Sequence, residues 1–377
     1  MNQFQSNHLL KILSAYQESS FPIDTFVSRY FRKNRALGSK DRRKIANTLF
    51  ALIRWQGLLD FLSPQEPSWE KRFHLYHKID PLSFINRQEI PIDKRVSFPK
   101  WIVDRLIAQY GEESTLSFCL ASNQKAPITV RANLLKTSRK ALLAAWEKTY
   151  AISPCLHAPA GIQFNQPIHL PLLPEFKAGL FEVQDEGSQL IADHLNVKEG
   201  DHVLDYCAGS GGKTLAFAHK MSGKGQIYLY DSRPHILVEA KKRLKRAGVQ
   251  NAHIVTRKQL KKPRFQARMD WILLDVPCSG SGTFRRNPDA KWRLSPQVLD
   301  HLISEQRKIF SQALSFLRPN GKIVYATCSV FSEENAQQVV YFTQNYSLTP
   351  TRPWFSSQPK AGGMDGFFCA VLKQKES

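Results

Sequence analysis

The sequence predicts a doubly wound, mainly parallel α/β sheet, preceded by a small α+β module and an all-helical N-terminal region. From about residue 180 onward, apolar runs of strand length alternate with amphipathic helical stretches. Before residue 120, apolar residues recur at helical spacing, and a proline-containing mixture of strand and helix patterns lies between the two regions. The predicted domain boundaries are 1–120, 121–178 and 179–377.

The composition is that of a folded, basic protein. The 377 residues include 53 Lys and Arg against 32 Asp and Glu, and the net charge is +21. Such an excess attracts polyanions, so it favours nucleic acid as a partner, although a generally basic protein would show it too. No apolar run approaches the roughly 18–20 residues of a spanning helix, and the N-terminus lacks the features of a signal peptide. We therefore predict a cytoplasmic protein without a membrane partner.

Six cysteines are too few for a disulfide scaffold in a chain of 377 residues. None forms a CxxC pair, so no metal site is predicted. Three of them, Cys207, Cys278 and Cys328, each follow an apolar run of strand length.

The elements of the first two regions follow from their periodicity. Helices are predicted over 39–60 and from Pro99 to Gly111. A strand over 128–135 and a helix over 138–148, capped by Ser138, form the small module.

The third region contains the strands and helices of the α/β sheet. Strands are predicted over 201–206, 226–231, 251–256, 269–275 and 321–328, and helices over 235–248 and 298–317. Gln306 is a polar break on the otherwise apolar face of the last helix. Ligands of such sheets bind beyond the carboxyl ends of the strands.

A glycine-rich turn follows the strand 201–206 and is the candidate cofactor loop. A phosphate-binding loop would need glycine at position 207, and a dinucleotide fingerprint would need glycine at position 214, so both patterns fail. The compact turn suits a nucleoside–amino-acid ligand such as S-adenosylmethionine, whereas the alternative is a tight turn without a ligand. The cofactor-binding candidates in the turn are Cys207, Ala208, Gly209, Ser210, Gly211, Gly212 and Lys213.

Asp231 is a further cofactor-binding candidate. It ends the next strand, 22 residues after Gly209, near the offset at which an acidic side chain accepts hydrogen bonds from ribose hydroxyls. Its carboxylate could instead cap the helix that starts near Arg233.

Two cysteines follow consecutive strands of the predicted sheet. Asp275 ends one strand and is followed by Cys278, and Cys328 ends the next. A right-handed crossover would set these strands side by side, which brings both thiols and Asp275 to one edge beside the cofactor loop. A thiolate that adds to carbon 6 of a pyrimidine activates carbon 5 for methylation, and a base must then remove the carbon 5 proton. The alternative is that both cysteines are small buried hydrophobic residues. The residues alone leave open which cysteine would attack.

Three segments resemble motifs of the Sun/RsmB family of RNA cytosine-5 methyltransferases, bacterial ribosomal-RNA members above all. They are DYCAGSGGKT, DVPCSGSGTFRRNPDAKW and YATCS. The resemblance implies a Rossmann-like class I methyltransferase fold and S-adenosylmethionine as cofactor. The implied reaction is methylation of carbon 5 of a cytosine in RNA through a covalent cysteine adduct. Ribosomal RNA is the expected substrate, with tRNA as the alternative, and no obligate protein partner is evident. A non-catalytic RNA-binding or ribosome-assembly factor on the same fold is the rival function.

The resemblance also implies roles for single residues. Cys328 would be the nucleophile, Cys278 would help to release the product, and Asp275 would lie between cofactor and base, with Lys213 in support. The residues expected to contact RNA phosphate are Arg285, Arg286 and Lys291.

The chain departs from the family pattern at two positions. The family usually has an aspartate that contacts adenine after the strand 251–256, where this chain has Arg257. The helix after Asp231 often has an arginine where this chain has Ile236.

Overall fold

A computed structural model describes residues 1–65 and 67–375 and divides the chain into two compact units. The first unit comprises Met1–Lys125 and Thr283–Pro296, and the second comprises Ala126–Gly282 and Gln297–Ser377. The segment Thr283–Pro296, which lies within the predicted third domain 179–377, belongs to the first of these units. Among the described residues, no helix combines the length and the apolar character that crossing a membrane requires.

The first unit is helical. The predicted helices over 39–60 and from Pro99 are present as α3 (Ser39–Leu62) and α6 (Lys100–Tyr110), and the apolar side of α3 is buried in the core of this unit. Its N-terminal helices are α1 (Gln3–Gln17), α2 (Ile23–Lys33), α3 (Ser39–Leu62), α4 (Trp69–Tyr76), α5 (Ile92–Arg95), α6 (Lys100–Tyr110) and α7 (Glu112–Ser122).

The small module opens the second unit. Its antiparallel sheet has the strand order β2-β3-β1-β4, and Trp146 of α8 packs against its buried side. The predicted cap is present, because the Ser138 side chain accepts a hydrogen bond from the Ala141 amide. The elements are β1 (Ile128–Ala132), α8 (Arg139–Trp146), β2 (Ile152–Pro154), β3 (Gly161–Phe164), α9 (Pro174–Lys177) and β4 (Phe181–Val183).

The remainder of the second unit is the predicted α/β sheet with its helices. Its strands are β5 (His202–Asp205), β6 (Gln226–Leu229), β7 (Ala252–Ile254), β8 (Met269–Asp275), β9 (Leu317–Thr327), β10 (Leu348–Pro350), β11 (Phe355–Ser357) and β12 (Phe367–Gln374). The helices along this part of the chain are α10 (Glu186–Asp193), α11 (Gly212–Phe217), α12 (Pro234–Ala247), α13 (Arg257–Leu260), α14 (Ala290–Arg293, in the first unit), α15 (Pro296–Leu314) and α16 (Ala336–Asn345). Short 3-10 turns lie at Pro81–Phe84, Leu170–Leu172, Ala218–Met221, Pro263–Phe265, Ser281–Thr283 and Ser332–Glu334.

The strand order of this sheet is β10-β12-β9-β8-β5-β6-β7, and β11 pairs with β12. Strands β5 to β9 pair in parallel, whereas β12 pairs antiparallel with β9. Alternate residues of the central strands enter separate apolar clusters on the two faces, as Val203 and Leu204 do. These findings confirm the doubly wound, mainly parallel sheet. The chain leaves β5 toward β6 on one side and returns to β8 on the other, so the switch in strand order lies at the end of β5.

Candidate active site

The two predicted cysteines lie side by side. Strands β8 and β9 are neighbours, with Asp275 opposite Ala326. Beyond their ends, Cys278 Sγ and Cys328 Sγ are 3.4 Å apart, and both residues are partly exposed. The predicted convergence at one edge of the sheet is therefore confirmed.

The loop that contains Cys278 is joined to its neighbours through main-chain contacts at Gly282. Gly282 N donates to Cys328 O at 2.9 Å, and Gly366 N donates to Gly282 O at 2.9 Å. A Cβ atom at position 282 would come within 2.1 Å of Gly366 O, so only glycine allows this approach.

The buried side chain of Glu334 holds the same loop through hydrogen bonds from Ser279. It accepts hydrogen bonds from Ser279 N at 2.8 Å, Ser279 Oγ at 2.6 Å and Gln306 Nε2 at 2.9 Å. Burial raises the pKa of Glu334, and the hydrogen bonds from Ser279 only partly oppose this effect. The sequence reasoning missed Glu334, although Gln306 was visible as the polar break on the face of α15.

Lys213 forms an ion pair with Asp275. Burial lowers the pKa of Lys213, but the charge of Asp275 and its hydrogen bond raise it, as does Cys328, and the net pKa is raised. Lys213 is therefore a cation at neutral pH. Asp275 keeps 35% of its side chain exposed, so its carboxylate remains accessible to a ligand.

The Cys278 thiol is affected by its contact with Cys328. The contact with Cys328 and burial raise the pKa of Cys278 well above its usual range. Cys278 is therefore protonated at neutral pH and can donate its S–H toward the Cys328 sulfur.

The candidate cofactor loop connects β5 to α11. Gly209 and Gly211 adopt positive φ angles of 51° and 78°. Cβ atoms built at Gly209 and Gly212 would meet no atom within 4 Å, so the backbone of the loop borders open space that a ligand can enter.

Asp231 fixes this loop from the end of β6. Its Oδ2 accepts the Gly209 amide at 2.9 Å, and its Oδ1 accepts the Arg233 amide at 2.9 Å. Burial raises the pKa of Asp231, but the hydrogen bonds from Arg233 and Gly209 lower it more, and the net pKa is lowered. A buried, ionised carboxylate beside open loop glycines at the switch in strand order fits the ribose of a nucleoside ligand. Helix α12 takes Arg233 as its N-cap residue, so Asp231 is not the helix cap itself.

The residues after β7, where the family usually has an aspartate that contacts adenine, form the short helix α13. Thr256 caps α13 and accepts a hydrogen bond from Gln259 N, and Gln259 Oε1 accepts one from Thr256 N at 2.8 Å. Arg257 is the first residue of this helix and is exposed.

A second buried carboxylate, Asp205, lies at the end of β5 and was also missed. Its Oδ2 accepts the Thr214 hydroxyl at 2.7 Å, whereas its Oδ1 is buried without a hydrogen-bond partner among the described residues. Burial raises the pKa of Asp205 to about 7.

Two of the three predicted phosphate contacts are contradicted by burial. The Lys291 side chain is 1% exposed, and its Nζ donates to Arg54 O, Ser97 O and Asn123 Oδ1 at 3.0, 2.7 and 2.8 Å within the first unit. Arg285 is buried to the same degree. The contact stays a prediction for Arg286, which is exposed.

Comparison with known proteins identifies two family models in this chain. The model of the 16S rRNA methyltransferase RsmB/F family matches residues 192–373. The ferredoxin-like domain of RsmF/B-like methyltransferases matches residues 98–171.

Several curated relatives match most of the chain. The probable ribosomal RNA small subunit methyltransferase B of Synechocystis sp. is 30% identical over 314 residues, which cover 78% of this chain and 70% of that protein. The ribosomal RNA small subunit methyltransferase B of Escherichia coli is 34% identical over 295 residues, which cover 75% of this chain and 68% of that protein.

Solved structures share this fold over most or nearly all of the chain. The crystal structure of PH0851 has a TM-score of 0.81 at 21% identity and covers 99% of both chains. A methyltransferase homolog protein from Pyrococcus horikoshii has a TM-score of 0.64 at 25% identity and covers 78% of this chain and 99% of that one. The motifs, the sheet and the extent of these matches agree, and the chain belongs to the RsmB/F family of S-adenosylmethionine-dependent methyltransferases.

Proposed function

We propose that this chain transfers a methyl group from S-adenosylmethionine to carbon 5 of a cytosine in ribosomal RNA, with Cys328 as the nucleophile. The observation that carries the proposal is the distance of 3.4 Å between the sulfur atoms of Cys278 and Cys328 beside the cofactor loop. Methyl transfer to a nitrogen or oxygen atom needs no thiol, because such atoms are already nucleophilic. Carbon 5 of a pyrimidine needs covalent activation, and this requirement explains a reactive cysteine with a second one in contact.

The proposed reaction begins with addition of the Cys328 thiolate to carbon 6. A carbon–sulfur bond forms, and the electron pair of the C5–C6 double bond becomes available at carbon 5. S-adenosylmethionine supplies an electrophilic methyl group, which carbon 5 takes up. A base then removes the carbon 5 proton, the C5–C6 double bond re-forms, and Cys328 leaves as a thiolate. The net products are the methylated base, the demethylated cofactor and one proton.

The protonation states of the neighbouring groups support these roles. Cys278 is a thiol at neutral pH, because its contact with Cys328 and burial raise its pKa. Lys213 supplies a positive charge that acts on Cys328. The Lys213–Asp275 pair can lend a proton to the ring nitrogen during addition and take it back during elimination.

Ribosomal RNA as the substrate rests on the names of the relatives and on charge. The curated relatives are ribosomal RNA small subunit methyltransferases B. The net charge of +21 favours a polyanionic substrate.

The direct test is methyl transfer from radiolabelled S-adenosylmethionine to purified ribosomal RNA and, separately, to tRNA. Bisulfite sequencing then locates any 5-methylcytosine. We expect label in ribosomal RNA at a bisulfite-resistant cytosine, and none with Cys328→Ala. Label only in tRNA would overturn the substrate assignment. Label at bisulfite-sensitive sites would overturn the assignment to carbon 5, and no label in either RNA would overturn the enzymatic function.

The proposed roles of the two cysteines predict that their alanine variants differ in whether a covalent RNA adduct accumulates. Cys278→Ala leaves the nucleophile but impairs release, so a denaturant-stable protein–RNA adduct should accumulate on a gel. Cys328→Ala should form none. Cys155→Ala, which removes a buried thiol from the small module, is the matched control and should turn over like the unmodified protein. An adduct with Cys328→Ala but not with Cys278→Ala would reverse the assignment.

A further inference from the structure

A buried ion-pair network connects the small module to the cofactor loop. Arg243, on α12, donates from Nη1 to Ser210 O at 3.0 Å and to Ser210 Oγ at 2.6 Å. The same guanidinium donates from Nε and Nη2 to Glu182 Oε2 at 3.1 and 2.9 Å. Glu182 is a residue of β4 and is 2% exposed, so a carboxylate of the small module orients the arginine that holds the loop.

The second contact of Glu182 shows that the loop contact is specific to Arg243. Its Oε1 accepts Arg246 Nη2 at 2.5 Å, and the Arg246 guanidinium lies over the Phe176 ring at 4.1 Å from the centroid. Arg246 therefore shares the carboxylate and the helix with Arg243, but its described hydrogen bonds and ring contacts include none to the loop.

An independent pair of hydrogen bonds reaches the other side of the loop. Arg131 of β1 donates from Nε to Gln184 Oε1 at 2.7 Å. This bond turns the amide nitrogen of Gln184 toward the loop, where it donates to Gly212 O at 3.3 Å. The small module thus acts on the loop at Ser210 through Arg243 and at Gly212 through Gln184, on either side of Gly211.

We propose that Arg243 is a positioning residue for S-adenosylmethionine: held by Glu182 of the small module, it fixes the cofactor loop in its binding conformation before the cofactor arrives. The physical reason is that the loop contains two glycines with positive φ, which have many alternative conformations when nothing restrains them. Asp231 restrains Gly209, and the Arg243 guanidinium, which bonds both the carbonyl and the hydroxyl of Ser210, restrains the residue between the two glycines. A binding site ordered in advance binds its ligand more tightly. The inference goes beyond the proposed function, because it concerns cofactor binding and does not depend on which RNA or which atom is methylated.

The experiment compares Arg243→Met with Arg246→Met in the full-length chain. Isothermal titration calorimetry measures the Kd for S-adenosylmethionine, and hydrogen exchange of peptides that span 207–213 measures the order of the loop without cofactor. We expect Arg243→Met to raise the Kd about 10-fold, equivalent to about 1.4 kcal/mol, and to accelerate exchange in the loop. Arg246→Met removes a cation from the same carboxylate and should stay within about twofold of the unmodified protein on the same scale.

Two further variants keep the proposal testable if Arg243→Met does not fold. Arg243→Lys keeps the charge but cannot bond Ser210 and Glu182 together, and Glu182→Gln keeps Arg243 but loosens its orientation. Both should raise the Kd and accelerate exchange in the loop while the melting temperature of the cofactor-free protein stays near that of Arg246→Met. An unchanged Kd in the Arg243 variants, or an equal rise in Arg246→Met, would overturn the proposal. If the unmodified protein did not bind S-adenosylmethionine, the cofactor assignment itself would fail, which is a distinguishable result.

Discussion

Replacing Asp205 by asparagine should change how the stability of the second unit depends on pH. Asp205 is buried at the end of β5, and the Thr214 hydroxyl is its hydrogen-bond donor at 2.7 Å. Burial raises the pKa of this carboxyl from 3.8 to about 7. Between pH 3.8 and about 7, the folded protein therefore retains a proton on Asp205 that the unfolded chain has already released.

The direction and size of the effect follow from proton linkage. Because the folded-state pKa is the higher one, the stabilising contribution of Asp205 is complete below pH 3.8 and is lost as the pH rises through about 7. A shift of about three pKa units corresponds to about 4 kcal/mol. Asparagine does not titrate. The unfolding free energy of the variant, relative to that of the unmodified protein, should therefore rise by about 4 kcal/mol as the pH increases from 4 to 8. Any constant cost of burying the new amide cancels in this difference.

Urea unfolding at successive pH values between 4 and 8 measures this difference. The transition that S-adenosylmethionine shifts to higher urea reports the second unit, because a ligand stabilises only the unit that binds it. Thr214→Val provides a second measurement. It removes the hydroxyl that lowers the pKa of Asp205, so the pH range over which the stabilising contribution of Asp205 is lost should move upward. Thr214→Val should have no such effect when Asp205 is already asparagine. A difference between Asp205→Asn and the unmodified protein that stays constant from pH 4 to pH 8 would refute the reasoning.

Two other substitutions test the buried contacts of the two units. Glu334→Ala leaves the Ser279 main-chain amide without its acceptor and removes one acceptor from the Ser279 hydroxyl and the Gln306 amide, so it should destabilise the second unit by about 2 kcal/mol and slow product release. Urea unfolding and the RNA-adduct gel measure these effects, and Glu334→Gln, which keeps one acceptor oxygen, should recover part of both. Lys291→Met removes the donor shared by Arg54 O, Ser97 O and Asn123 Oδ1, so the first unit should lose about 3 kcal/mol. The salt dependence of RNA binding should not change, and a weaker salt dependence would show that Lys291 does contact phosphate.

The sheet and the pair of thiols could be predicted because both depend on local patterns and one general rule. Apolar runs of strand length located β5, β6, β8 and β9, and the preference for right-handed crossovers placed β8 beside β9. The contact between Cys278 and Cys328 followed from that adjacency. The predicted strand 321–328 was too short at its start, since β9 begins at Leu317. Residues 318–320, Arg-Pro-Asn, carry the polar and proline signals of a turn, and they form a bulge between the pairs Met269–Leu317 and Trp271–Lys322, with a φ of 63° at Asn320.

The polar residues that hold the site could not be predicted in the same way. The side chains of Glu182, Arg243 and Glu334 have hydrogen-bond partners 28 to 64 residues away along the chain, and nothing in the neighbouring sequence indicates those partners. Lys291 was misassigned for the related reason that a lysine in a basic segment resembles a phosphate contact. Its three oxygen acceptors are brought together only by the folding of the first unit. The one available signal was Gln306, because a polar residue on an apolar helix face requires a buried partner.

The choice between the two cysteines, which the residues alone left open, gains a physical argument from the charges around them. Glu334 lies beneath the Cys278 loop, and the pKa values of both Cys278 and Glu334 are raised, so this side of the pair disfavours additional negative charge. On the other side, Lys213 is a buried cation whose raised pKa includes a contribution from Cys328. The Lys213 cation therefore favours a thiolate that forms at Cys328 during the reaction, whereas Cys278 lies beside a buried carboxyl group and keeps its proton. This arrangement of charged groups supports the proposal of Cys328 as the nucleophile, which the two alanine variants test.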